Sequence, residues 1–210
     1  MSKYNIYKNI SPNIFRGYDI RAVYGQDLNE DIAYTIGLGF GSYIQEKGYK
    51  KCLIGHDNRT SSDPLADAMI TGITQTGVDV VYLGLCTTPM YYYACIKMEI
   101  PSGAMITASH NPKDDNGFKF AFDEAGNCKG QEIQDFLTEL IEGNFISGTG
   151  NVSEYDIFPE YIDLFKKSLN FGSRRVKVVI DPANGATASF TRKIYEMFPI
   201  DMTIINEESD

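Results

Sequence analysis

The chain has 210 residues, of which 43% are hydrophobic and 22% charged, so it can bury a core like an ordinary globular protein. Its formal net charge is −9 and no block of lysine and arginine could follow a phosphate backbone, which excludes nucleic acid as the expected partner. No apolar run approaches the length that crosses a bilayer, and the N-terminus lacks a secretory signal, so we expect a soluble, cytoplasmic protein without a membrane partner.

The first part of the chain alternates between helix and strand. Apolar residues recur at spacings of three and four from Ile32 to Ile44, which predicts an amphipathic helix that Asn29 caps and Gly48 ends. Asp63 and Pro64 have the character of a helix start after a polar loop. The predicted elements are a helix at 29–48, a strand at 52–54, a polar loop at 55–62 and a helix at 63–77.

The same alternation continues as far as residue 142. Strands that alternate with helices predict an α/β fold with a mostly parallel sheet and helices on both faces (α/β/α), in which one late strand is antiparallel. Ligands of such sheets gather at the carboxyl ends of the strands. The predicted elements are strands at 78–83, 103–107 and 117–122 and helices at 90–97 and 131–142.

A change of composition to Gly, Ser, Thr and Asn between Gly143 and Ser153 predicts a linker. We therefore divide the chain into a first domain at 1–152 and the beginning of a second, similar α/β domain at 153–210. The second part contains a predicted helix at 158–169, a strand at 176–180, a turn, a helix to 198 and a strand at 202–205. This is one βαβ unit, which is too small to close a domain alone.

The four cysteines are distributed without a C-x-x-C pair and without histidines at the spacing of metal ligands. They are predicted to be reduced, mostly packed thiols of a cytosolic protein. They are Cys52, Cys86, Cys95 and Cys128.

Three polar loops follow predicted strands, at 56–62, 87–89 and 109–116, and they should meet at one edge of the sheet. In the third, Ser109 stands at a strand end beside an Asn-Pro turn, where its hydroxyl can act as a nucleophile or carry a phosphoryl group. The alternative is a turn residue that satisfies local backbone groups. A serine hydrolase is disfavoured, because no G-x-S-x-G run is present and Ser109 and His110, as neighbours on an extended chain, point to opposite sides. His56 is the remaining imidazole.

Four sequence motifs occur in order along the chain and together resemble the α-D-phosphohexomutases. Residues 107–112 (Thr-Ala-Ser-His-Asn-Pro) and 115–119 (Asp-Asn-Gly-Phe-Lys) resemble the phosphoserine loop of that family. Residues 15–21 (Phe-Arg-Gly-Tyr-Asp-Ile-Arg) are similar to its N-terminal motif in the form found in phosphomannomutase/phosphoglucomutase members. Residues 55–59 and 178–185 also match loops of the family.

The resemblance implies an intramolecular phosphotransferase that interconverts hexose 1-phosphates and hexose 6-phosphates. In the family the serine, here Ser109, is phosphorylated in the resting enzyme and donates its phosphoryl group to a hexose monophosphate. It then takes back the other phosphate from the resulting hexose 1,6-bisphosphate, which is both intermediate and activator. Arg21, Lys119 and His110 are the implied catalytic side chains. The resemblance also implies that Tyr18, Asn111 and Arg16 contact the phosphorylated hexose.

The resemblance further implies Mg²⁺, which would bind the phosphate on Ser109. The metal-binding run of the family, Asp-Gly-Asp-Gly-Asp-Arg, is absent from this sequence, and one ligand does not hold Mg²⁺. We therefore expect the chain to be an N-terminal fragment whose partners are the remaining mutase domains, and to have little or no mutase activity alone. The alternatives are a truncated, non-catalytic relative that acts as a binding or interaction module and, less favoured, a serine-dependent phosphatase-like hydrolase.

Each candidate residue also has a structural interpretation. Arg16 and Arg21 could be surface charges that pair with Asp19 or Asp27, and Lys119 could be the solvent-facing residue of an alternating strand. His110 could only orient its turn.

For other polar residues and motifs the structural interpretation is the favoured one. For Arg59 we favour a local structural role, and Asp181 and Asn184 are interpreted as turn and cap residues. The glycines at 37, 39 and 41 lie within a helix pattern, not after a strand, so they are not a dinucleotide fingerprint. The tyrosines at 91–93 are interpreted as core residues.

Overall fold

A six-stranded sheet dominates the computed structural model, which describes residues 2–124, 126–170 and 172–209. A separate parallel pair of strands follows near the C-terminus. The helices and strands are β1 (Ile20–Val23), α1 (Glu30–Glu46), β2 (Lys51–His56), α2 (Ser62–Thr74), β3 (Asp79–Leu85), α3 (Thr88–Lys97), β4 (Gly103–Ile106), β5 (Asp115–Ala121), α4 (Gly130–Glu142), β6 (Val152–Glu154), α5 (Phe158–Ser168), β7 (Val176–Ile180), α6 (Ala188–Tyr195) and β8 (Ile200–Ile204).

The strands of the main sheet lie in the order β1-β5-β4-β2-β3-β6. β4, β2, β3 and β6 run parallel to one another, whereas β5 is antiparallel to both β4 and β1. The predicted late antiparallel strand is thus confirmed. β1 and β6 were not predicted, because strands of four and three residues are too short to show a convincing hydrophobic period.

Helices cover both faces of the main sheet, which confirms the α/β/α class. Along β2 the buried side chains alternate, so that Cys52 and Ile54 join the core beneath α1, α2 and α4. Leu53 belongs to the second core, which contains residues of α3 and the start of α5. The alternation follows from the two-residue period of a strand that is buried on both sides.

The glycine run of α1 allows a close crossing with α2. A Cβ on Gly37 would lie 2.3 Å from the carbonyl oxygen of Met69, and a Cβ on Gly72 of α2 would lie 2.2 Å from that of Tyr34. Real Cβ atoms do not approach so closely, so only glycine permits this helix spacing. These contacts agree with the rejection of a dinucleotide-binding role.

The predicted ends of α1 are confirmed. Asn29 accepts a hydrogen bond from the backbone N–H of Ile32, and Gly48 has a φ of +91°, the left-handed geometry that favours glycine after a helix. α2 ends at Thr74, three residues before the predicted limit at Gly77.

The predicted linker is partly incorporated into the main sheet. The backbone N–H groups of Gly148 and Gly150 donate to the carbonyls of Gln75 and Thr74, and β6 then pairs with β3. β6 (Val152–Glu154) begins at the last residue of the predicted first domain and continues past it. The division into domains at residue 152 stays a prediction. Beyond it, β7 and β8 pair in parallel, as expected of a βαβ unit.

All four cysteines are buried and free, as predicted. Burial raises the pKa of the Cys86 and Cys128 thiols to about 12 and that of Cys95 to about 11, and it raises the pKa of Cys52 further. Within the described residues, no helix combines the length and the apolar character that crossing a membrane requires.

Candidate active site

The loop that joins β4 to β5 presents Ser109 in an unusual backbone conformation. Its φ is +59°, in the left-handed region, and its backbone N–H donates a 2.9 Å hydrogen bond to Oγ1 of Thr107. The chain is therefore not extended here, and the expectation that Ser109 and His110 point to opposite sides is wrong. Oγ of Ser109 lies 3.3 Å from Nδ1 of His110, and both residues are exposed.

Arg21 reaches this loop from β1. The register pairs Arg21 with Gly117 of β5, where a Cβ would lie 1.9 Å from the carbonyl oxygen of Ile20, so the approach of the two strands requires glycine. Nη1 of Arg21 donates to Oδ1 of Asn111 at 2.9 Å, and Nε donates to Oδ2 of Asp19 at 2.9 Å. Arg21 thus forms the predicted pair with Asp19 and also binds the serine loop.

Lys119 is not solvent-facing, so that alternative is wrong. Its side chain is 11% exposed, and Nζ lies 3.4 Å from Oδ2 of Asp19 and 5.3 Å from the ring centroid of Tyr18. Phe118 and Phe120 of β5 point into the core beneath α1, which leaves Lys119 on the opposite side of the strand. Asp19, itself buried, therefore holds both Arg21 and Lys119 through one carboxylate oxygen.

A cleft of about 580 Å³ lies beside these cations, within the size range of small-molecule sites. Four of the predicted site residues line it, together with Asp19 and Asp115. The lining does not include Ser109, His110 or Lys119. Ser109 and His110 precede the lining residue Asn111 in the chain, and Lys119 contacts the lining residue Asp19. The four are Arg16, Tyr18, Arg21 and Asn111.

Arg16 and Tyr18 are exposed on the rim of this cleft. The backbone N–H of Arg16 donates to the carbonyl of Asp19 at 2.8 Å, and the carbonyl of Tyr18 accepts from Sγ of Cys128 at 3.1 Å. These backbone contacts fix the turn before β1, so that both side chains are left facing solvent.

Arg59 has the structural contacts that were expected of it. Its Nε lies 3.2 Å from Oδ2 of Asp57, and its terminal nitrogens donate to backbone carbonyls of the serine loop. Both ring nitrogens of His56 have partners other than the serine, because Nδ1 lies 2.7 Å from the carbonyl oxygen of Asp57 and Nε2 lies 3.1 Å from Oδ1 of Asp63.

The polar residues at Thr87 and in the turn after β7 make local structural contacts. Oγ1 of Thr87 caps α3 by accepting from the N–H of Met90. Oδ1 of Asp181 accepts from the N–H of Ala183, and the N–H of Asn184 donates to Asn206. The contacts of Asp181 agree with the predicted turn role, whereas the N-cap of α6 is Thr187 and not Asn184.

The described residues do not by themselves fit a magnesium site. Mg²⁺ needs several oxygen ligands in near-octahedral geometry. In residues 2–124, 126–170 and 172–209, no group of three or more His, Cys, Asp or Glu side chains could hold a metal ion.

Sequence reasoning did not single out Asp19, Asp57 or Thr107 as site residues. The spacing of two between Asp19 and Arg21 was an available signal, since alternate residues of an extended chain share a face. The same spacing joins Asp57 and Arg59, whereas the contact between Asp57 and Thr107 had no local signal, because the two residues lie 50 positions apart.

The comparisons with known proteins agree with the α/β/α fold. Residues 12–145 match the family model for the phosphoglucomutase/phosphomannomutase alpha/beta/alpha domain I. The chain is 37% identical over 190 residues to a phosphoglucomutase of Neisseria meningitidis, covering 90% of this chain and 41% of the relative. It is 37% identical over 185 residues to a phosphomannomutase/phosphoglucomutase of Pseudomonas aeruginosa, covering 88% and 39%.

Among solved structures, a phosphoglucomutase/phosphomannomutase family protein of Burkholderia thailandensis superposes with a TM-score of 0.89 at 30% identity. The superposition covers 96% of this chain and 45% of that one. The chain thus spans about two fifths of the length of the curated relatives it matches. Because the domain I model matches well over half of its residues, the chain belongs to the phosphoglucomutase/phosphomannomutase family.

Proposed function

We propose that this chain carries the phosphoryl-transferring serine of a phosphohexomutase, which interconverts hexose 1-phosphates and hexose 6-phosphates through a hexose 1,6-bisphosphate. The observation that carries the proposal is the 2.9 Å hydrogen bond from Arg21 to Asn111, two residues after Ser109. It brings a cation from β1 to the loop of the exposed serine. A site built for phosphoryl transfer needs such positioning and charge compensation.

A phosphoryl group on Ser109 adds roughly 1.5 to 2 negative charges at neutral pH, which call for nearby cations. Arg21 lines the cleft and is fixed by Asp19 and Asn111, so its guanidinium is oriented before substrate binds. Lys119 is oriented by the same carboxylate and by the ring of Tyr18. In this proposal both cations bind phosphate oxygens of the hexose, and Tyr18, Arg16 and Asn111 contact the sugar phosphate.

The transfer step can be written with the residues of this chain. The bond between phosphorus and Oγ of Ser109 breaks, while a bond forms between phosphorus and a hydroxyl oxygen of the hexose monophosphate. His110, whose Nδ1 lies 3.3 Å from Oγ of Ser109, returns a proton to the serine oxygen as it leaves. Lys119, as a cation, offsets the charge on the phosphoryl group in transit, and the proton of the attacking hydroxyl leaves to water. The reverse step regenerates the phosphoserine from the bisphosphate.

The proposal includes Mg²⁺, with the phosphate on Ser109 as one ligand and the other ligands supplied outside the described residues. It also includes a cytoplasmic location and partnership with the remaining mutase domains. We expect the 210-residue chain alone to interconvert glucose 1-phosphate and glucose 6-phosphate slowly or not at all. An enzyme-like rate from the isolated chain would contradict this part of the proposal.

The test is intact-mass and peptide analysis of the protein expressed from its native gene, before and after exposure to glucose 1,6-bisphosphate and MgCl₂. We expect one phosphoryl group on Ser109. Ser109→Ala should abolish it, while Ser168→Ala, which alters an exposed serine at the end of α5, should leave it unchanged. An unmodified Ser109 in a preparation that interconverts the hexose phosphates would contradict the proposal.

A non-catalytic binding module is the second candidate. It is favoured by the apolar side chains that β7 exposes, of which Val179 is 69% and Val176 40% accessible. An in-frame continuation of the gene past Asp210 would favour the mutase. The absence of one, together with no phosphoryl transfer to Ser109, would favour the module.

A further inference from the structure

The guanidinium of Arg59 is the centre of the loop that carries Ser109. One terminal nitrogen, Nη1, lies 2.5 Å and 2.9 Å from two backbone carbonyl oxygens, and Nη2 lies 3.1 Å and 2.8 Å from two more. A planar fork of five N–H donors suits this arrangement, which a single ammonium cannot reproduce. The four carbonyls belong to Pro112, Asp115, Ser109 and Asn111.

This arrangement determines where the backbone N–H groups of the loop point. In a trans peptide the C=O and the following N–H point in opposite directions, and the chain has no cis peptide among its described residues. With the carbonyls of Ser109 and Pro112 on Arg59, the N–H groups of His110 and Lys113 point away from the guanidinium.

Asp57 connects Arg59 to the other side of Ser109. Its Oδ2 accepts from Nε of Arg59 and from Oγ1 of Thr107, the latter at 2.7 Å, and its Oδ1 accepts from Oγ of Ser62 at 2.6 Å. Oγ1 of Thr107 in turn accepts from the N–H of Ser109. Both backbone polar groups of Ser109 are thus held, the carbonyl by Arg59 and the N–H by Thr107.

These bonds have a specific structural consequence for Ser109. A non-glycine residue at positive φ costs of order 1 kcal/mol or more and persists only where its surroundings impose it. The side chains of Arg59 and Asp57 are each 12% exposed, so the ion pair from which these bonds extend is largely shielded from water. Because the Asp57 carboxylate neutralises Arg59, this pair is suited to hold the loop and not to bind substrate.

We propose that Arg59 and Asp57, acting through Thr107, are positioning residues that hold Ser109 in its left-handed conformation and aim its hydroxyl for phosphoryl transfer. The effect on transfer rests on the proposed function, whereas the effect on loop order does not. The two are therefore measured separately.

The matched substitutions are Thr107→Val, which removes the hydroxyl at constant shape, and Thr107→Ser, which keeps it. Two readouts are taken: hydrogen exchange of the Ser109 amide, and the rate of phosphoryl transfer from glucose 1,6-bisphosphate to Ser109. For Thr107→Val we expect exchange about 10-fold faster, from the loss of one hydrogen bond. We expect transfer to be about 100-fold slower at saturating bisphosphate, because the reacting oxygen is misplaced. Thr107→Ser should restore both.

Arg59→Lys and Arg59→Met test the guanidinium, with Arg192→Met as the control, because Arg192 forms an exposed pair with Glu207. We expect both changes at Arg59 to slow transfer with the half-saturating bisphosphate concentration nearly unchanged, and lysine to restore little. The control should behave as the unsubstituted protein.

The outcomes separate the two proposals. If the unsubstituted protein never becomes phosphorylated on Ser109, the proposed function fails, and hydrogen exchange alone decides the positioning role. If the protein is phosphorylated and Thr107→Val transfers and exchanges at the original rates, the positioning role is wrong. An equal loss in Thr107→Ser and Thr107→Val would also contradict it, since the hydroxyl would then not be what matters.

Discussion

Nη1 of Arg21 donates a 2.9 Å hydrogen bond to Oδ1 of Asn111, a residue that lies 90 positions later in the chain. The bond joins β1 to the loop after β4 across the antiparallel strand β5. Through this bond the loop of Ser109 helps to fix the position of the Arg21 guanidinium, and the guanidinium in turn helps to fix the loop. The proposed chemistry requires this mutual dependence.

Arg21→Lys should slow phosphoryl transfer to and from Ser109 by about 100-fold or more, in the range found when one oriented donor of a catalytic site is lost. A lysine has no planar fork, so it cannot bond Asp19 and Asn111 at once and still present a donor to phosphate. The measurement is the transfer rate from glucose 1,6-bisphosphate, followed by mass. Arg175→Lys is the control, because Arg175 forms an exposed pair with Asp201. Equal rates for the two variants would contradict a role for Arg21.

Asp19→Asn should lower the free energy of unfolding by about 3 kcal/mol, because it leaves Arg21 and Lys119 close together without their carboxylate. The carboxylate of Asp19 is 3% exposed, so water cannot replace it readily. Urea denaturation measures the change. Asp201→Asn, at the exposed pair with Arg175, should cost less than about 1 kcal/mol. A similar small loss at Asp19 would mean that the two cations are compensated in another way.

The sequence predicted the elements whose signals are local. Asn29 and Gly48 marked the ends of α1 because caps act within a few residues, and the alternation of strands and helices predicted the layered sheet. The sequence did not predict β1 and β6, because these short strands form by pairing with β5 and β3 and show no hydrophobic period of their own.

The sequence named candidate site residues, but it did not predict the geometry in which the structure arranges them. The resemblance implied Ser109, Arg21 and Lys119 as catalytic residues, but the left-handed turn at Ser109 depends on Arg59, 50 residues earlier. Likewise, an alternating pattern cannot tell which face of a strand is covered. Lys119 is buried because Asp19 and Tyr18 from another segment lie over it.

Gly37→Ala should destabilise the chain by about 1 to 3 kcal/mol, because the new methyl group would meet the backbone of α2 and force the two helices apart. The measurement is again the free energy of unfolding in urea. Gly172→Ala is a suitable control, since a Cβ there meets nothing within 4 Å. If Gly37→Ala is as stable as the control, the close crossing of α1 and α2 is not required.

Alkaline pH should destabilise the fold through its buried thiols. The pKa of Cys86 is raised from 9.0 to about 12 by burial, so between these values the unfolded chain carries a thiolate while the folded chain keeps the proton. The folded state binds more protons in this window, so stability is fully present below about pH 9 and is lost as pH rises toward 12.

Each such thiol should remove about 1.4 kcal/mol per pH unit in this window, and Cys128, with a pKa of about 12, should act in the same direction. The measurement is the free energy of unfolding in urea at pH 7, 8, 9 and 10, compared between the original protein and Cys86→Ala. We expect both to be insensitive to these groups between pH 7 and 8. Above pH 9 the free energy of unfolding of the variant should fall less steeply, by about 1.4 kcal/mol per pH unit, because residue 86 then has no thiol to titrate. Parallel curves for the two proteins above pH 9 would show that Cys86 titrates alike in the folded and unfolded states, contrary to its burial beneath Gly55 and Met105.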